Sequence, residues 1–140
     1  MDMKKLSIGS SLAWQIAANE ANAGNFQFIE KEHILIGILS LEKLLMLSPE
    51  KVGLKTQDLQ RLKLEYDLIA ELFRKSKIDA TQLRRQLRKK MGNGNYERAE
   101  EVLHRSKICK EIFKQSEEYA KASKDISCLH LFAAIMGAPQ

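Results

Sequence analysis

Residues 28–39 read FIEKEHILIGIL, and the way this stretch must fold sets the class of the whole chain. From Glu32 to Leu45 the residues Ile34, Leu35, Ile36, Gly37, Ile38, Leu39 and Leu41 leave almost no polar side. A helix that is apolar all round is enclosed by neighbours, so this segment predicts the centre of a core. Gly37 lies inside it, at a cost of about 1 kcal/mol against Ala. The usual compensation is close approach of another helix where a side chain would not fit.

Upstream, Ile8, Leu12, Ile16, Ala17 and Ala21 recur at helical spacing and define one buried face, with Ser7 placed as its N-cap. Ala23-Gly24-Asn25 ends that helix, because Gly and Asn tolerate the left-handed conformation. Downstream, Ser48-Pro49-Glu50 predicts a cap with Pro at the first helical position and a short turn of helix that stops at Gly53. Lys55 to Lys75 is helical in its spacing, with breaks that the pattern does not fix. Ile78-Asp79 caps a further helix carrying Leu83, Leu87 and Met91, and Met91-Gly92-Asn93-Gly94-Asn95 is the clearest linker. A second unit starts near Glu97, with Val102, Leu103, Ile108, Ile112, Phe113, Tyr119 and Ala120 in helical rhythm. Asp125-Ile126-Ser127 then makes a turn and cap before Leu129 to Met136.

Only two Pro and seven Gly stand against a large stock of Leu, Ile, Ala, Lys, Glu and Gln, which favours helix throughout, and 140 residues with 44% hydrophobic content fit one domain. Two cysteines, Cys109 and Cys128, are too few for a disulfide framework and lie in no zinc-ligand spacing. The longest apolar stretch, Ile34 to Leu41, falls far short of the roughly 20 residues that span a bilayer. The basic N-terminus, Met1 to Lys5, is followed by no signal-peptide core. These features predict a cytoplasmic protein with no membrane segment.

The two halves share a layout. Setting His33 over His130 places Ile29 over Ile126, Ile34 over Leu131, Leu35 over Phe132, Gly37 over Ala134 and Ile38 over Ile135. A two-residue shorter turn then places Ala21 over Ala120 and Ala17 over Ser116. Small residues fall on small and apolar on apolar, which predicts an internal duplication.

FIEKEHILIGIL and ISCLHLFAAI, each preceded by a helix with small residues one turn apart, resemble the paired repeats of the Clp N-terminal domain. Ile78-Asp79 with Leu83-Arg84 and Leu87 resembles the helix between that family's repeats, and Val102-Leu103 with Ser106 the lead-in to the second. The similarity runs from Leu6 to about Gly137. It implies an all-α domain over 1–140, built of two pseudo-symmetric four-helix Clp repeats at about 6–75 and 79–138. Two departures stand out: residues from about Leu44 to Phe73 exceed the family's usual connection, giving an extended middle helical segment, and Leu129-His130 replaces Glu-His in the second repeat.

The resemblance implies a non-catalytic substrate- and adaptor-binding module of an AAA+ unfoldase, tethered to a hexameric ring, a monomer in isolation, without cofactor or metal. Its partners would be adaptor proteins and unfolded or marked polypeptides. A free-standing Clp-repeat regulator is the alternative. No GxxxxGK[ST] phosphate loop occurs in the chain.

Candidate binding residues are Ser7, Glu32, His33, Leu129 and His130. Ser7 has a sufficient task as an N-cap, and the resemblance aligns it with a hydroxyl residue beside a substrate groove. Glu32 stands at a helix start, where the dipole favours an acid, with His33 facing the core. In some family members the matching Glu accepts a phosphorylated arginine, chemistry suited to a carboxylate. Cys128 and His130 are spaced C-x-H, which matches no structural zinc pattern. His104 follows Glu100 and Glu101, adjacent carboxylates typical of a solvated helix. The net charge is +5, and RRQLRKK concentrates Arg84, Arg85, Arg88, Lys89 and Lys90. In a helix Arg84 with Arg88 and Arg85 with Lys89 stand one turn apart, predicting a basic face for an acidic partner or, in a second function class, nucleic acid. No helix-turn-helix signature accompanies it.

Overall fold

The computed structural model describes residues 5–47, 49–97 and 103–138. Helix takes up 69% of the described residues and strand 5%, so the fold is all-α. In chain order the described elements are α1 (Ile8–Ala23), β1 (Phe28–Ile29), α2 (Lys31–Leu45), α3 (Pro49–Val52), α4 (Thr56–Lys75), α5 (Ala80–Met91), β2 (His104–Arg105), α6 (Lys107–Tyr119) and α7 (Cys128–Met136).

The apolar helix α2 is central, with α1 and α5 packed against it and α4, α6 and α7 also in contact. Residues 33–39 and Leu41 are all buried. Gly37 is the point of closest approach: a Cβ there would overlap the backbone carbonyl of Ala13 on α1. Ala13, Ala17 and Ala21 line the α1 side with no exposed surface, so the small residues of one helix let the backbone of the other come near. Trp14 of α1 meets Phe113 of α6 edge-on at 5.2 Å between ring centroids, and Phe73 of α4 meets Phe132 of α7 in the same way at 5.4 Å.

The capping residues act as their sequence positions require. Ser7 Oγ accepts the Ser10 N–H at 3.0 Å, Asp79 the Gln82 N–H at 3.0 Å, and Ser106 the Cys109 N–H at 3.1 Å. In the turn after α1 it is Asn25, at φ 58°, that adopts the left-handed conformation, whereas Gly24 stays at φ −88°. Gly53 follows α3 at φ 75°, as expected; Ser48 lies outside the described residues.

Two expectations are corrected. Lys55 to Lys75 has no break: α4 is a single helix of 20 residues, held by Leu62, Tyr66, Ile69 and Phe73 on its buried side. The helical rhythm assigned to Leu103 does not hold, because residues 103–106 run extended and α6 begins only at Lys107. Backbone pairing is the cause: β2 lies parallel to β1, with Phe28 opposite His104 and Ile29 opposite Arg105, and Ser106 N–H donates to Ile29 O at 3.0 Å. Val102 lies outside the described residues. The expected linker is also pinned to the first turn, since Gly94 N–H donates to Gly24 O at 2.7 Å and Tyr96 N–H to Asn25 O at 3.0 Å.

A second parallel bridge joins the chain's ends. Ser7 N–H donates to Ile126 O and Ile126 N–H to Lys5 O, both at 2.9 Å. The segment before α1 thus pairs with the one before α7, and the segment before α6 with the one before α2.

Candidate functional site

These pairings bring helix N-termini together in twos. Where Leu6 meets Ile126, α1 and α7 begin side by side. Their first-turn N–H groups have no partners within their own helices and carry the positive ends of the helix dipoles. Glu65, half-buried on α4, answers them. Its Oε2 accepts the Ser7 hydroxyl at 2.6 Å and the Cys128 N–H at 2.8 Å, and its Oε1 accepts the Gly9 N–H at 3.0 Å. Of the candidates, Ser7 and the helix start carrying Leu129 and His130 therefore belong to one junction, filled from within by a carboxylate.

Glu32 and His33 belong to the other junction, where Ile29 meets Arg105. His33 is buried, and its Nδ1 accepts the Glu30 N–H at 2.9 Å. His130 Nδ1 accepts the Ser127 N–H at 2.9 Å. Both imidazoles thus fill the part that Glu or Gln plays in an ordinary capping box. Burial pushes the His33 pKa down, against the opposing pull of Glu30, Glu32 and Glu20. The ring is therefore neutral at pH 7, with its proton on Nε2, a buried atom that finds no partner.

Beside this second junction α2, α5, α6 and α7 leave a groove of about 610 Å3. Leu35, Leu87, Ile108 and Ile135 supply apolar surface, while Glu30, Lys31, Glu32 and Lys90 supply charge. Phe26 and Met91 complete the lining. Such a mixture suits an extended or helical peptide with apolar anchors and flanking charges. Of the five candidates only Glu32 lines it; the others lie elsewhere, His33 beneath the neighbouring turn.

The basic face on α5 is corrected. Arg84 is buried at 2% exposure, its Nε has no hydrogen-bond partner, and the guanidinium is near enough to Tyr66 to act on its phenol electrostatically. The cause is helix geometry: Ala80 and Arg84 stand one turn apart on the side of α5 turned inward, the only buried residues of that helix. Arg88 is tied to Glu20 of α1 through both its Nε and a terminal nitrogen. Arg85 and Lys89 remain exposed.

The thiol of Cys109 is pushed up to about 12 by burial, and burial raises Cys128 as well, so both stay protonated at pH 7. Among the described residues no three His, Cys, Asp or Glu side chains group to hold a metal ion, and no helix is long and apolar enough to cross a membrane. Glu100 and Glu101 lie outside the described residues.

The sequence pattern did not single out Glu65, though a signal existed: it sits between Leu62 and Ile69, at i+3 and i−4, on the edge of the buried face of α4. The groove lining is scattered from Phe26 to Ile135, and no local motif marks it. No protein-family model and no curated protein matches this chain.

Proposed function

We propose that the chain is a non-catalytic peptide- and adaptor-binding module of the Clp N-terminal type, its halves being two Clp repeats. The observation that carries the proposal is the groove at the second junction, with its apolar lining and a charged border that includes Glu32. The repeat assignment rests on matched chemistry in the two halves. Ser7 and Ser106 cap equivalent helices, His33 and His130 close equivalent capping boxes, and Trp14 and Phe113, at equivalent positions, touch. On this basis the module captures exposed apolar segments or an adaptor and presents them to an AAA+ ring. Burial of Arg84 and pairing of Arg88 reduce the cationic surface that a nucleic-acid function would use.

The test is fluorescence anisotropy of the whole chain with labelled, unstructured peptides rich in Leu and Arg. Weak binding is expected, reduced roughly tenfold by Ile108→Asp and by Glu32→Lys, and unaffected by Arg85→Glu. Failure of every such peptide to bind, or an equal loss with Arg85→Glu, would overturn the proposal.

A further inference from the structure

The 20-residue helix α4 has two apolar stripes, and among the described residues only one is packed within the chain. Leu62, Tyr66, Ile69 and Phe73 are buried against the core. On the other side Leu64, Leu68 and Leu72 follow one another at four-residue spacing with 70%, 60% and 38% of their surface exposed. A helix lying on a core normally carries polar residues there. Single exposed leucines are common, whereas three in line on one helix form a continuous apolar stripe.

The charges along that stripe indicate what covers it. Gln57, Arg61, Leu64, Leu68, Glu71 and Lys75 succeed one another at intervals of three and four, as along a coiled-coil seam. A second copy lying antiparallel, with Leu64 opposite the copy's Leu68, places Arg61 opposite its Glu71 and Gln57 opposite its Lys75. Two-fold symmetry repeats each contact in reverse, as an isologous interface requires. A parallel copy would set Arg61 against Arg61 and Glu71 against Glu71. Within the chain Arg61 reaches Asp58 only at 4.0 Å, and Glu71 pairs with Arg74 one turn away. Exposed pairs of this kind contribute little, so both charges can re-pair across an interface.

We infer that the outer face of α4 is a self-association surface, on which two copies of this chain pair antiparallel through Leu64 and Leu68, with Arg61–Glu71 ion pairs on either side. The apolar contact is small, so the dimer is weak and concentration-dependent. This goes beyond peptide capture and is independent of it, since the surface lies outside the groove; it also replaces the monomer that the resemblance implies with a weak dimer formed on the extended middle segment.

Sedimentation velocity of the full chain, from micromolar to millimolar protein, tests the inference. A reversible monomer–dimer equilibrium is expected, abolished by Leu68→Glu. Arg61→Glu should weaken it roughly tenfold by turning two attractions into repulsions, and adding Glu71→Arg should restore it to within about twofold. These positions are exposed, and circular dichroism checks that each variant folds. A chain that stays monomeric throughout would overturn the inference and leave the stripe to a different protein. So would a dimer indifferent to Leu68→Glu, or a double variant no tighter than Arg61→Glu alone.

Discussion

Where Leu6 pairs with Ile126, two helix N-termini converge on the carboxylate of Glu65; where Ile29 pairs with Arg105, two others converge beside a groove. Each junction has a serine cap, Ser7 or Ser106, and a histidine box, His33 or His130. What separates them is α4, which reaches the first junction with an acid matched to the orphan donors. The long middle segment therefore stabilises one junction and leaves the other with the surface suited to a ligand.

This contrast can be broken most directly at Glu65. Glu65→Ala removes a charged acceptor from three donors and should destabilise the chain by about 3 kcal/mol in denaturant unfolding. A loss below about 1 kcal/mol would mean that water serves those donors as well. The two serine caps offer a finer comparison. Ser106→Ala should cost about 1 kcal/mol, the ordinary value of a cap, whereas Ser7→Ala also removes the hydroxyl from Glu65 and should cost about 2 kcal/mol. Equal losses would show that Glu65 adds nothing to its cap.

The smallest effect concerns acid stability at the second junction. Burial lowers the pKa of His33 from its ordinary 6.5, so the unfolded chain takes up a proton before the folded one does. The stabilising contribution is complete above pH 6.5 and declines as pH falls from there towards the folded value. His33→Gln keeps an acceptor for the Glu30 N–H and does not titrate. Urea midpoints measured downward from neutral pH should therefore fall less steeply in that variant. Parallel curves would assign the acid sensitivity to other groups.

Much of the fold was legible because its signals are local. The all-round apolar run around Ile36 placed the central helix, Gly37 announced the close approach of α1, and Ser7 and Asp79 marked helix starts that the structure confirms. Misreadings arose where distant residues decide. Residues 103–106 have helical spacing but are drawn extended by Ile29, and Arg84 belongs to a basic run yet faces inward. Of the groove lining, Glu32 alone was among the candidates, and only the family resemblance singled it out, its place at a helix start having a structural reason of its own. Glu65 was not legible, because its partners stand 56 to 63 positions away along the chain.

The nested backbone pairings also bear on how the molecule comes together. Ile29 must find Arg105, and Leu6 must find Ile126, across most of the chain's length. Closing loops of that size forfeits chain entropy, so folding should be slower than in helical proteins built on local contacts. In exchange each half supplies the edge that completes the other. A chain divided between them would leave both pieces with open backbone groups.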